Sequence, residues 1–419
     1  MGAQAFGTDS LHLDMTAYNA IGDLDSRSGI IEVDSGATWP HLMEKLEQRQ
    51  PNEPNPWCIV QKQTGADQLT LGGAIAANIH GRGLKLAPIV QDIESLTLLT
   101  ATGGQIECSR TKNADWFSLV IGGYGLFGVV TSVKLRLMRR QILRRQVLLE
   151  TIDGIPKQVE AQIRAGALYG DFQFSPAADT DGFLREGVFS VYHPVDNSEA
   201  AKVGVTPAAK QVLSMDHWTQ LIVLAHTDKP KAFKTYLDYY RTTDGQLYES
   251  DRQQLSTYLP DYHNVIAEAM RPKVDQSLII TELYVPRDRL VDFFDVVRRD
   301  MLEHQVDLVY GVVRWIEGDK ETFLPWARQR FACVIFNLNV QHSPSGKAKA
   351  AADFRRLIDR SLELGGSYYL TYHKYAAREQ VERAYPNFEA MLAEKTKRDP
   401  AGLLQSDWFR HYQRLFDRR

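Results

Sequence analysis

Between Thr70 and Asn78 almost every residue is small: Thr70-Leu71-Gly72-Gly73-Ala74-Ile75-Ala76-Ala77-Asn78, running into His80-Gly81-Arg82-Gly83. A helix face packed on a core would show larger apolar side chains at 3.6 spacing, and a half-buried strand would alternate. This run does neither. Consecutive small residues let a bulky planar or phosphorylated ligand lie against bare backbone, whose successive N–H groups can hold an anion. A close helix–strand contact would use the same residues, and both readings stand at this point.

A second glycine cluster, Gly123-Tyr124-Gly125-Leu126-Phe127-Gly128, matches the dinucleotide pattern GxGxxG. That pattern needs a strand before it and a helix after it, so that a pyrophosphate meets the helix N-terminus. Here the order is reversed. Asp115 to Val120 reads as helix and Val129 to Leu137 alternates as a strand. A parallel dinucleotide fold is therefore excluded, and a glycine-dense turn that admits close approach to the backbone remains.

The rest of the chain predicts an α+β protein. Leu11 to Met15 alternates as a strand, Ile30 to Val33 forms another, and Thr38 is placed to cap a helix running from Pro40 through Leu46. Leu96–Leu99 and Gln105–Cys108 flank Thr102-Gly103-Gly104, a hairpin signal. After residue 140 the texture changes. Helical patterns at Lys231–Arg241 and Arg287–Glu303 interleave with strands at Ser277–Val285, Val306–Ile316 and Cys333–Val340. Tyr368 to Tyr375 reads as a strand running into a loop, followed by two helical stretches broken at Lys397-Arg398-Asp399-Pro400.

With 419 residues the chain suits two domains, and a net charge of −3 gives no sign of a nucleic-acid partner. The basic run Arg139, Arg140, Arg144, Arg145 is expected to be a solvated edge at a domain junction. Three widely spaced cysteines, Cys58, Cys108 and Cys333, imply neither a disulfide framework nor a metal site, and Cys333 is expected in the core. No apolar stretch is long enough to span a bilayer, and the first residues lack the features of a signal peptide. The expected compartment is the cytoplasm.

The two glycine clusters with their spacing resemble the FAD-binding fold of the vanillyl-alcohol oxidase and p-cresol methylhydroxylase (PCMH-type) superfamily. The resemblance rests on Thr70-Leu71-Gly72-Gly73 through His80-Gly81, on Asp92, and on Gly122 through Thr131. Tyr372-His373-Lys374 and Arg398-Asp399-Pro400 are similar to the group of aldonolactone oxidases, alditol oxidase and decaprenylphosphoryl ribose oxidase. The resemblance implies a two-domain α+β architecture. An FAD-binding domain would occupy 1–140, an α+β substrate (cap) domain 141–366, and a segment returning to the FAD domain 367–419. It also implies a further N-terminal lobe in family members, of whose glycine loop the opening Met1 to Gly7 looks like the tail. Within that fold Thr70, Gly72, Gly73 and Ala74 would lie along the FAD pyrophosphate. Asn78, His80 and Gly81 would line the isoalloxazine, while Gly123, Gly125, Gly128 and Val130 would meet the rest of the cofactor.

The implied reaction is oxidation of a hydroxyl on a sugar, polyol or aldonolactone-like substrate by hydride transfer to flavin N5. It needs a cation near the flavin, an acceptor for the hydroxyl proton, and polar groups holding the carbon about 3–3.5 Å from N5. Lys374, in an aromatic stretch, is the candidate cation, with a surface lysine as the alternative. Arg314 lies among apolar residues, where a buried charge needs a partner or a substrate. In alditol-oxidising relatives a glutamate stands two positions earlier; here Val312 stands there, and Glu282 is the expected substitute, with a solvent-facing Glu282 as the alternative. Asn337 and Asn339 share a strand face and suit hydroxyl recognition, or form a polar outer face. His80 and His373 are the candidate bases. The sequence leaves the electron acceptor open. Its rivals are a flavin-dependent double-bond reductase, which would need an apolar pocket, and a flavin-free binding module.

Overall fold

The computed structural model describes residues 6–196, 212–256 and 262–417. The first part of the chain contributes β1 (Ile21–Asp25), β2 (Ile30–Asp34), β3 (Trp57–Cys58), β4 (Ile93–Leu99), β5 (Gln105–Ser109), β6 (Val129–Arg136) and β7 (Met138–Arg139). Five of them form an antiparallel sheet in the order β1-β2-β6-β4-β5, and β3 pairs with β7. The β4–β5 hairpin turns where Thr102-Gly103-Gly104 predicts it, with Gly103 at φ +83°. Helix Trp39–Arg49 follows Thr38 and carries Pro40 in its first turn, although the Thr38 side chain makes no capping bond. Leu11–Met15 is not a strand: it has no ladder partner and Leu11 and Leu13 are exposed.

The second part builds one eight-stranded antiparallel sheet from β8 (Ile142–Thr151), β9 (Tyr169–Phe174), β10 (Glu186–Pro194), β11 (Leu247–Glu249), β12 (Gln276–Pro286), β13 (Leu308–Ile316), β14 (Phe331–Gln341) and β15 (Ser367–Tyr368). Its order is β11-β8-β10-β9-β13-β14-β12-β15. The expected strand over Tyr368–Tyr375 shrinks to β15, after which the chain turns away.

Register divides this sheet into two unlike faces, because residues directly opposite across strands share a face. One row runs Phe172–Val313–Val334–Leu283–Tyr368. With Phe174 and Phe336 it forms a dry face under helices Leu290–Glu303 and Pro344–Glu363, whose Phe293, Phe294, Phe354 and Leu357 are buried. Phe174 meets the Phe294 and Phe336 rings at 5.1 and 5.6 Å. Each such side chain contributes ~1.5–3 kcal/mol by leaving water. The neighbouring rows, Arg314–Cys333–Tyr284 and Val312–Ile335–Glu282, belong to the other face, which also carries Ser190 opposite Asp171.

The last helices, Phe388–Arg398 and Asp407–Asp417, pack on the first part of the chain. Trp408 stacks on Tyr124 at 4.6 Å. Arg398 lies over Trp116 at 4.3 Å and bonds Asp115 at 2.7 Å. Arg398-Asp399 is thus a clasp between segments: Asp399 accepts from the N–H groups of Leu403 and Leu404. The basic run is not the expected solvated edge. Arg140 pairs with Asp251 at 2.8 Å, and Arg145 is buried in a cage of Tyr192, Tyr240 and Tyr248. All three cysteines are free and buried. No helix among the described residues is long and apolar enough to cross a membrane.

Candidate active site

The glycine clusters, about fifty residues apart in sequence, meet in space. Gly122 and Tyr124 donate their N–H groups to the carbonyls of Ile75 and Ala76, both at 2.9 Å. Thr70 caps the short helix Leu71–Ala76 by accepting from Gly73 N at 3.3 Å. Gly72 N is bonded to Ser35 O at 2.7 Å and Ala74 N to Thr70 O at 2.9 Å. The expected nest of free N–H groups at Gly72-Gly73-Ala74 is therefore absent: the protein uses all three. What these residues supply is bare surface. A Cβ on Gly72 would stand 3.1 Å from Ser35 Cβ, and the Ser35 hydroxyl beside it is buried without a partner. Gly125, at φ +74°, faces open space, whereas a Cβ on Gly123 or Gly128 would collide with the Leu119 or Leu99 carbonyl. Gly123 and Gly128 are packing glycines, and Val130 is tied into the β4–β6 ladder.

The run ends at a buried cluster that joins His80 to Glu282, Tyr284 and Cys333. Asn78, at φ +44°, spends its side chain on Asp319 Oδ2 at 2.9 Å and Val90 N at 3.2 Å, so it fixes the turn with its amide rather than presenting it. His80 is completely buried; its Nδ1 faces the Gly81 carbonyl at 2.9 Å and its Nε2 binds Glu282 Oε1. Since the carbonyl can only accept, Nδ1 carries a proton. Glu282 Oε1 also receives the Tyr284 hydroxyl at 2.9 Å and the Cys333 thiol at 3.0 Å. Burial opposes charge on Glu282. The charge and hydrogen bond of His80, the Cys333 thiol and the Arg314 charge outweigh it and hold the carboxyl well below its usual range. Cys333 moves the other way: burial and the adjacent carboxylate push its thiol well up, so it stays protonated and unreactive. His80, Glu282 and Cys333 could offer a metal three atoms within 4.8 Å, but hydrogen bonds already join them.

Among the described residues Glu282 Oε2 is buried with no hydrogen-bond partner, and so are Arg314 Nε and Nη1, Ser190 Oγ, Gln63 Oε1, Thr64 Oγ1, Gln253 Oε1 and Arg82 Nε. Orphaned buried polar atoms are rare in folded proteins, and several converging on one region mark a place for a polar ligand. Glu282 stands in the same cross-strand row as Val312, two strands away. Glu282 thus shares a face with position 312, where the alditol-oxidising pattern places its acid.

Two candidates go elsewhere. Lys374 is exposed, and its charge is felt by Asp407 and His411. His373 bonds Thr281, a residue of the dry face, at 3.2 Å and lies against Phe354 at 4.3 Å; burial pushes its pKa down to about 3. Asn339 spends its amide on Gln276 and Asp307, both at 2.9 Å. Asn337 is buried on the polar face, opposite Ile280 and Tyr310.

Comparison with known proteins decides the cofactor. Residues 1–109 match the family described as "FAD binding domain". The chain carries the PCMH-type FAD-binding fold. It is 22% identical to L-gulonolactone oxidase of Bos taurus over 94% of this chain and 84% of that one. It is 23% identical to decaprenylphosphoryl-beta-D-ribose oxidase of Mycolicibacterium smegmatis over 99% and 87%. An uncharacterized oxidoreductase of the fasciation locus of Rhodococcoides fascians is 29% identical over 41% of this chain, and the match spans only 38% of that relative.

FAD is the cofactor of this PCMH-type fold, and the residues present fit it. The side-chain-free stretch at Gly72, the partnerless Ser35 hydroxyl and the open flank of Gly125 offer a bare, polar cradle that a Cβ would narrow. Sequence reasoning gave no site role to Gln61, Lys62, Gln63, Arg82, Asp171 or Tyr284. Gln61 links buried Asp92 to the His80-Gly81 turn: its Nε2 donates to Asp92 at 2.8 Å and its Oε1 accepts from Gly81 N at 3.2 Å. The polar run Gln61-Lys62-Gln63-Thr64 beside a strand of two residues was the signal available.

Proposed function

We propose that this chain oxidises a carbon-bound hydroxyl of a sugar, polyol or aldonolactone-like molecule, with FAD as the acceptor. The observation that carries the reading is the polar face of the eight-stranded sheet, which brings unpartnered donors and acceptors to the His80 turn of the FAD-binding part. An apolar substrate for double-bond reduction would leave all of them unpaired, each at a cost of ~1–3 kcal/mol. Relatives named for lactone and ribosyl substrates point the same way.

In this reading Glu282 Oε2 accepts the hydrogen bond of the reacting hydroxyl and takes up its proton, while His80 holds the carboxylate at its other oxygen. Tyr284 and Cys333 hold the carboxylate in one orientation by donating to its other oxygen. A positioned acid–base group of this kind contributes roughly 10²–10⁴-fold to rate. Bound FAD supplies the two-electron acceptor. Asn337 and Arg314 fix the remaining oxygens of the substrate.

The test is the absorption spectrum of purified protein before and after addition of FAD, then anaerobic mixing with lactones and alditols. The reading expects flavin bands that bleach with a lactone or polyol. Absence of flavin bands removes the enzyme, and bands that no polyhydroxylated compound bleaches remove the substrate class.

A further inference from the structure

Four basic side chains gather where the polar face meets the FAD-binding part: Lys62, His80, Arg82 and Arg314. Three of them close on carboxylates. Lys62 Nζ lies 2.5 Å from Asp67, Arg82 Nη1 lies 3.4 Å from Asp171, and His80 is bound to Glu282. Arg314 is left over. Among the described residues it forms no ion pair within 4.0 Å, and its Nε and Nη1 are buried without a partner although the residue is only 7% exposed. Arg145, on the same face, is a useful contrast. Its guanidinium is filled by hydrogen bonds from Nε to Tyr192 at 2.9 Å and from Nη1 to Thr243 at 2.9 Å.

The carboxylate beside Arg314, Glu282, is already shared among His80, Cys333 and Tyr284. Burial, with the charges of Arg82 and Arg314 nearby, pushes the Lys62 ammonium down against the pull of Asp67. A buried guanidinium without hydrogen bonds or a counter-ion is costly, and a bound anion would relieve it.

We propose that the substrate of this site carries an anionic group, a carboxylate or a phosphate, which Arg314 receives. The inference rests on the hydroxyl-oxidation reading and narrows it: the hydroxyl to be oxidised meets Glu282 Oε2 while the anion, elsewhere on the same small molecule, meets the guanidinium. A charge-assisted bond of this type is about twice as strong as a neutral one. A neutral sugar of the same shape would leave Arg314 uncompensated.

The experiment is thermal denaturation of FAD-supplemented protein with matched probes: gluconate against glucitol for a carboxylate, glucose 6-phosphate against glucose for a phosphate. At least one anionic member is expected to stabilise at concentrations about tenfold lower than its neutral partner, a difference of ~1.4 kcal/mol. The pair that shows it identifies the anion. In Arg314→Met, which replaces a lone buried charge by an apolar chain, the preference is expected to vanish. The inference is overturned if neither anion is preferred in the natural protein, which needs no variant to fold, or if the preference survives in Arg314→Met. Flavin absorbance of the same samples separates the two readings. Bound flavin without anion preference rejects this inference alone, and anion preference without flavin rejects the flavoenzyme and keeps the Arg314 site.

Discussion

The two faces of the eight-stranded sheet are built from the same strands and do opposite things. On one face Phe172, Val313, Val334 and Leu283 pack under two helices, their side chains filled against neighbours. On the other, one residue along each strand, Arg314, Cys333, Glu282 and Ser190 are equally buried, yet Arg314, Glu282 and Ser190 keep atoms without partners. Burial alone does not distinguish a core from a site. Unfilled capacity on charged groups does: among the described residues Arg314 and Glu282 keep buried atoms without partners, whereas the dry row leaves so only the neutral Tyr368 hydroxyl.

The comparison breaks most visibly if the dry face is not the source of stability. Phe336→Ala should cost ~3–5 kcal/mol in denaturant unfolding, with FAD still bound under native conditions. His373 sharpens the same point through pH. Its folded pKa, about 3, lies below the usual imidazole value of ~6.5, so the unfolded chain binds the extra proton between those values. Stability should be fully present above pH ~6.5 and fall as pH drops toward 3, by up to ~4 kcal/mol. His373→Phe should flatten that slope in unfolding measured across the acid range, and an unchanged slope would place the titration elsewhere. On the polar face, Tyr284→Phe removes one donor to Glu282 and should cost about 1 kcal/mol in stability. Its larger effect should be on flavin reduction, because Glu282 loses part of its orientation. Lys374→Met should change unfolding by less than ~0.5 kcal/mol and leave flavin reduction unaltered, as for a solvated lysine. A large loss of rate there would bring Lys374 back into the site.

Much of this was legible in the sequence, for reasons that differ by residue. The reversed helix–turn–strand order around Gly123–Gly128 excluded a parallel nucleotide fold, and the structure shows helix Ala114–Val120 before the turn and β6 after it. Strands Ser277–Val285, Val306–Ile316 and Cys333–Val340 were readable from apolar runs, and Glu282 and Arg314 stood out as charges inside the first two. Lys374 looked the same by that criterion and was misplaced, because the chain leaves the sheet after Tyr368 and the period-two rule no longer applies. Leu11–Met15 failed likewise: alternation without a neighbouring strand has no ladder to join. The partnership of His80 with Glu282 spans 202 residues and depends on cross-strand register, which no local pattern encodes. The Gly72–Ala74 turn was expected to hold an anion through free N–H groups, but Ser35 and Thr70 consume them, which no local pattern shows.

The central claim is that the His80–Glu282 pair on the polar face does the chemistry. Single-turnover anaerobic reduction of the bound flavin, in the natural protein and in Glu282→Gln, tests it most directly. Glutamine keeps the size and can still accept through its carbonyl, but it carries no charge and takes up no proton. The account predicts a fall of roughly 10²–10³ in the reduction rate with FAD affinity unchanged. Reduction at the natural rate by Glu282→Gln would contradict it.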